Sequence, residues 1–269
     1  MPVYWFALSQ INNINILKAV LVFVVLHLFI YPASNGYNSY MDKDKDSIGC
    51  VKNPLPATKQ LYHATIFLDS AGLIAGLFVS VSFTILLLLY ILASKSYSYS
   101  GIRLKKFSFI SYLLAIVFQG GVVYAMVYNS CSIPQNNYLP LLPVLASMLF
   151  VGCFYPLTQI YQHRQDALSN IKSMSILLGY RGTFINAFVM SFTAMLLTAF
   201  YFALNLELDR FLVLVICMFP SVLFLIKWYL KVRKNTNEAS YKNAMTMNWI
   251  AAIGSNLAFI IILIIKDKF

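Results

Sequence analysis

The chain has 269 residues, of which 60% are hydrophobic and 11% charged. That balance excludes a soluble globular domain. Several apolar runs reach the roughly 20 residues that a spanning helix needs, so the chain reads as an integral, polytopic, all-α membrane protein. A net charge of +11 would suit nucleic acid, but in a membrane protein it more often reflects basic cytoplasmic loops.

In chain order, Met1 to Gln10 is apolar but only about half a span. It is expected to be the tail of a short first helix. It has neither a basic leading region nor a small-residue cleavage site, so no cleavable signal peptide is expected. After the uncharged polar stretch Ile11 to Asn15, a helix is expected from Ile16 to about Tyr37. The loop from Ser47 to Gln60 carries Gly49, Pro54 and Pro56 and reads as irregular. Leu61 to Ser94 is apolar for 34 residues, too long for one ordinary span. Lys43, Lys45, Lys52 and Lys59 precede it; Lys95, Arg103, Lys105 and Lys106 follow it. Basic loops stay on one side of the membrane, so the segment crosses twice. Two short helices are expected, at 61–80 and 82–98, turning near Ser80 to Ser82.

Further spans are expected at about 107–129, 138–160, 181–204, 209–232 and 242–265. The loop at 130–137 has no charge. The loops at 161–181 and 227–242 are basic again. Sixteen of the 20 Lys and Arg residues then fall on one side; Lys18, Arg210, Lys266 and Lys268 fall on the other. This asymmetry supports about nine spans counting the short first one, with the N-terminus inside and the C-terminus outside. It also removes the nucleic-acid reading. The four cysteines, Cys50, Cys131, Cys153 and Cys217, form no CxxC and suggest neither a zinc site nor a disulfide framework.

The unusual polar content lies in the basic loops. Three of the nine carboxylates, Asp42, Asp44 and Asp46, stand within five residues. On a helix, Asn38, Asp42 and Asp46 (i, i+4, i+8) share one face, about 6 Å apart. Stacked carboxylates repel unless a cation lies between them. Mg²⁺ suits such oxygen ligands, with substrate phosphates completing its shell. A solvated, mixed-charge helix end, with Lys43 and Lys45 interleaved, fits the same stretch. Two more polar stretches follow, Tyr99 to Lys106 and Gln159 to Gly179.

These three stretches, in this order and spacing, resemble the UbiA-type superfamily of intramembrane prenyltransferases, and the resemblance covers nearly the whole chain. Asn38, Asp42 and Asp46 match the first aspartate-rich motif, NxxxDxxxD. Tyr99, Ser100, Arg103, Leu104 and Lys105 match the YS-x-x-RLK segment. The second motif resembles DxxxDxxxGDxTLxxxLG: Asp166 matches its second aspartate, Lys172 a basic position, and Leu178-Gly179 its ending. Gln162 stands at the first aspartate, Asn170 at the glycine and Ile171 at the next acid, so one carboxylate of three is kept.

The resemblance implies one domain over 1–269, with nine helices around a central cavity open to the cytoplasmic side. It implies Mg²⁺, a prenyl diphosphate donor, an acceptor that is an aromatic ring in the best-known members, and residence in a lipid bilayer, here the bacterial cytoplasmic membrane. Asp42 and Asp46 would bind metal with Asn38 as a neutral ligand. Asp166 would bind a second ion beside Gln162. Arg103, Lys105 and Lys172 would contact diphosphate and Tyr99 would hydrogen-bond it. Ordinary positive-inside anchoring is the alternative for the three basic residues, and an interfacial belt aromatic the alternative for Tyr99.

Two ionisable residues lie deeper. His27 is eleven residues before Asn38, and Asp69 ten residues after Lys59. Both are about 15 Å from the helix end at 1.5 Å per residue. On neighbouring antiparallel helices they are able to pair, and an intramembrane ionisable residue is a functional candidate by default. Both are expected to line the cavity near the acceptor or prenyl chain, with a structural pair as the alternative. Two other classes stay open. A non-catalytic, lipid-binding or scaffold relative is motivated by the altered second motif. A small-solute transporter is opposed by the absence of paired inverted repeats.

Overall fold

A computed structural model describes residues 2–43, 47, 49, 51–134, 138–163, 166 and 171–266. Among these residues the chain is helical, with a single isolated bridge, Ile14 to Ser132, and no strand. Among the described residues nine helices have eight residues or more: α1 (Pro2–Ser9), α2 (Ile16–Asp42), α3 (Lys59–Leu77), α4 (Val81–Ser98), α5 (Ser108–Cys131), α6 (Leu141–Gln159), α7 (Met174–Leu204), α8 (Leu208–Lys234) and α9 (Tyr241–Lys266). Seven are long and apolar enough to cross a membrane, which makes this an integral membrane protein. The other two are the eight-residue α1 and α3, whose apolar run is interrupted by His63, Thr65 and Asp69.

The 34-residue apolar run folds as two helices, as its length requires. The turn is Phe78 to Ser80, where Ser80 caps α4 by accepting from the Phe83 amide at 3.1 Å. Helix α2 outruns its expected end at Tyr37 and stops at Asp42, because Lys43 turns left-handed (φ 51°, ψ 44°). Asn38 and Asp42 therefore share a helix face; Asp46 lies outside the described residues. Two helices contain a wider π-type turn, Val25–Ile30 in α2 and Ala115–Val122 in α5. Such turns are uncommon and are found frequently at functional sites.

The helices fall into two compact units. One comprises Met1–Gln10, Lys106–Tyr124 and Pro140–Phe269. Its core holds Phe184 and Trp228, edge to face at 4.9 Å, with Ile160, Leu157, Leu225 and Met247 around them. Trp228 donates from Nε1 to the Glu238 carbonyl at 2.8 Å, which satisfies its one donor. Helices α5 and α6 approach closely at Gly120. A Cβ there would lie 2.6 Å from the Met148 Cα, so only glycine admits this crossing.

The other unit comprises Ile11–Lys105 and Ala125–Leu139. In it α2 packs on α3 and α4, with Val25, Leu26, Ile30, Phe83 and Leu87 buried. Backbone bonds from Asn15 to Cys131 (2.8 Å) and from Ile133 to Asn13 (2.9 Å) tie the entry of α2 to the end of α5.

Candidate functional site

Within the second unit, five pairs connect α2 to the end of α4 and the turn after it. Ser34 and Ser94 meet through their hydroxyls at 2.5 Å. The Lys95 ammonium lies 4.0 Å from the centre of the Tyr37 ring. Ser98 donates to Asn38 Oδ1 at 2.5 Å. Beyond the helix end, Lys105 Nζ is ion-paired with Asp42 Oδ1, and Arg103 Nη2 lies 3.8 Å from the same oxygen. The Asn38–Ser98 pair lies one helical turn further along both helices than the Ser34–Ser94 pair. The two helices therefore run parallel in register along this polar seam.

The return of Arg103 and Lys105 to Asp42 follows from the local backbone. Helix α4 ends at Ser98, and the amides of Ile102 and Arg103 both bond to the Tyr99 carbonyl, at 3.1 and 2.6 Å. Arg103 takes the left-handed conformation (φ 47°), which reverses the chain into the short turn Leu104–Lys106. The Lys105 side chain is 6% exposed and that of Asp42 13%. A lysine buried this far needs its partner close by. Tyr99 is 47% exposed.

The seam carries ligand types for a hard cation and for an anion side by side. Asn38 and Asp42 offer amide and carboxylate oxygens, the donor types that suit Mg²⁺. Arg103 and Lys105 offer donors for phosphate oxygens. Asp46 lies outside the described residues. Among the described residues no three His, Cys, Asp or Glu side chains form a metal-holding group, so any ion held at Asp42 draws further ligands from elsewhere.

Asp69 and His27 have separate surroundings in the same unit. Asp69 Oδ2 is ion-paired with Lys95 Nζ at 2.6 Å, so the partner of this carboxylate is on α4. His27 sits in the wide turn of α2, where Nδ1 lies 3.0 Å from the Phe23 carbonyl. Its ring stacks on Phe23 at 4.3 Å and meets Tyr31 edge-on at 5.1 Å. Lys95, counted from the sequence among loop cations, instead belongs to the last turn of α4 and turns inward.

The second motif belongs to the first unit. Gln162 ends a short turn after α6 and donates from Nε2 to the Tyr161 hydroxyl at 3.2 Å. The Ile171 amide bonds to the Asp166 carbonyl at 2.9 Å. The Lys172 carbonyl accepts from the Ser108 hydroxyl. His163 stacks on Tyr180 at 4.4 Å and its Nε2 lies 2.8 Å from the Ser175 hydroxyl, which meets Thr183 at 3.0 Å. Burial holds the His163 imidazole below its ordinary range, against the opposing bond to Ser175. Gly179 interrupts α7 with φ 67° and ψ 174°, a region essentially restricted to glycine. That explains the glycine closing the motif. Asn170 lies outside the described residues.

Sequence reasoning missed Ser98, Ser94 and Lys95. Their signal was present: polar residues at i, i+1 and i+4 ending an otherwise apolar helix. Without the three-dimensional register they read as the start of a loop.

Comparison with solved structures finds the same fold. A UbiA homolog from Aeropyrum pernix K1 aligns with a TM-score of 0.71 at 16% identity, covering 97% of this chain and 95% of that one. A UbiA homolog from Archaeoglobus fulgidus, bound to DMAPP and Mg²⁺, gives 0.67 at 14% identity, with 97% and 93% covered. A structure of digeranylgeranylglyceryl phosphate synthase gives 0.62 at 20% identity, with 100% and 92% covered. No curated protein sequence matches the chain significantly. The model of the UbiA prenyltransferase family matches residues 1–252, and the chain belongs to that family.

Proposed function

We propose that this protein transfers a prenyl group from a prenyl diphosphate to an acceptor in the membrane, with Mg²⁺ as the metal. The observation that carries the reading is the convergence of Arg103 and Lys105 on Asp42. It brings together, from two separate stretches of sequence, the anionic and cationic groups that a metal–diphosphate site would need. Relatives support it: Archaeoglobus fulgidus UbiA homologs have been solved with DMAPP and Mg²⁺ and with GPP and Mg²⁺. A single domain over 1–269, a cavity opening to the cytoplasmic side, an inside N-terminus and the bacterial cytoplasmic membrane complete the proposal.

Asn38, Asp42 and Asp46 would hold one Mg²⁺, and Gln162 with Asp166 would contribute to a second. When bound, Mg²⁺ supplies positive charge to the departing diphosphate. Arg103, Lys105 and Lys172 bind the diphosphate oxygens, and Tyr99 adds a hydroxyl donor. These groups stabilise the charge that develops as the allylic C–O bond breaks and its electron pair leaves with diphosphate. The acceptor then forms a bond to the allylic carbon; an aromatic acceptor loses its ring proton to restore the π-system. His27 and Asp69 belong to the acceptor and prenyl side of this site, Asp69 acting through Lys95.

The test is Mg²⁺-dependent binding of GPP to purified full-length protein, wild type against Asp42→Asn and Asp46→Asn, followed by turnover with aromatic acceptors. Binding that needs both the metal and the aspartates supports the reading. Folded wild-type protein that binds no prenyl diphosphate supports the non-catalytic alternative, which the exchange of aspartate for Gln162 favours.

A further inference from the structure

The Lys95–Asp69 pair lies at the junction of three helices. Asp69 comes from α3, Lys95 from α4 and the Tyr37 ring under the ammonium from α2. Both charged side chains are largely buried, at 18% and 10% exposure. A lysine near the end of a membrane helix ordinarily extends its ammonium toward the interface. Lys95, three residues before the end of α4, instead turns inward to Asp69. The contact explains why a carboxylate is tolerated in the middle of α3: its charge is matched by a close cation.

The location of the pair matters more than its strength. Tyr37 immediately precedes Asn38, and Lys95 is three residues before Ser98, the donor to Asn38. Along both helices the Tyr37–Lys95 contact thus falls between the Ser34–Ser94 bond and the Asn38–Ser98 bond. Serine hydroxyls alone hold parallel helices loosely. An ion pair anchored on a third helix, with a ring packed on the ammonium, fixes both rotation and height.

We propose that Lys95 and Asp69 are positioning residues, setting the register of α2 on α4 and thereby the placement of Asn38 and Asp42 against Arg103 and Lys105. This role rests on the proposed metal–diphosphate site for its functional consequence, whereas the register itself does not. Removing either charge leaves the other buried and unmatched, so the helix interface rearranges locally. Removing both leaves no buried charge but also no anchor. Loss of an outer partner of a metal site commonly costs about 10- to 100-fold in metal affinity.

Two readouts on the full-length protein in detergent test this. The first is the rate of disulfide formation between Ser34→Cys and Ser94→Cys, with the four native cysteines replaced by alanine. Rapid cross-linking is expected with Lys95 and Asp69 intact and with Lys95→Arg. A fall of about tenfold is expected for Lys95→Gln, for Asp69→Asn and for the double variant, with the double no worse than either single. The second is the Mg²⁺-dependent affinity for GPP of the folded fraction, with the native serines retained, which is expected to fall in the same pattern. Unchanged cross-linking in both singles overturns the proposal, as does a pure loss of thermal stability with unchanged cross-linking. Cross-linking that follows the pattern while wild type binds no GPP upholds the register role and defeats the prenyl-transfer reading alone.

Discussion

Ser98 donates its hydroxyl to Asn38 Oδ1 at 2.5 Å. One turn earlier on each helix, Ser34 meets Ser94 at the same distance. The bond therefore fixes which way the Asn38 amide faces: its carbonyl oxygen is on the α4 side, one helical turn before Asp42, to which Arg103 and Lys105 return.

Ser98→Ala is expected to free that amide without opening a large cavity. A typical intramolecular hydrogen bond contributes about 1 kcal/mol, so Mg²⁺-dependent GPP affinity should fall about fivefold while thermal stability changes little. Titration of GPP at fixed Mg²⁺ measures it. Equal affinity in the two proteins would show that the Asn38 orientation does not matter to binding.

Lys105 is ion-paired with the Asp42 carboxylate, so it competes with a cation there. Lys105→Met should raise the affinity for Mn²⁺ alone, on the order of tenfold, because a positive charge has left the site. The same change should weaken GPP binding, since a phosphate donor is lost. Electron paramagnetic resonance of Mn²⁺, with and without GPP, separates the effects. A parallel loss of both would mean that Lys105 serves only to hold the turn.

Gln162 supplies a neutral carbonyl where a carboxylate would bind a hard cation more strongly. Gln162→Asp should therefore tighten Mg²⁺ dependence, lowering the half-saturating concentration several-fold, with turnover rising or unchanged. Turnover measured across a Mg²⁺ series decides this. If the half-saturating concentration does not move, position 162 has no part in metal binding.

Gly179→Ala places a Cβ on a residue with φ 67° and ψ 174°. Space is available there, so the penalty is conformational, about 1–3 kcal/mol. The thermal midpoint should drop by several degrees, and the His163–Ser175–Thr183 hydrogen bonds around the break should loosen. A Gly182→Ala control, at a helical position of α7, should show a much smaller shift.

Much of this protein follows from its sequence alone, because a bilayer constrains a chain so strongly. Backbone polar groups must be satisfied within the membrane, so long apolar runs become helices. The 34-residue run had to fold twice, and it turns at Phe78 to Ser80. The residue types that mark the candidate site, with Asn38, Asp42, Arg103 and Lys105 among them, were likewise legible as motifs.

Pairing was not legible, because side-chain partners depend on rotation and height between helices, and hydropathy carries no signal for either. Lys95 looked like a loop cation and Asp69 like a partner for His27. Only tertiary structure brought Lys95 to Asp69, while His27 takes partners on its own helix, Phe23 and Tyr31. It also ended α2 at Asp42 through the left-handed Lys43, and folded Arg103 and Lys105 back through the left-handed Arg103. The apolar pattern determined which segments are helices. The side chains' need for matched charge and filled hydrogen bonds, met only between helices, decided how the polar residues of the second unit came to share one seam.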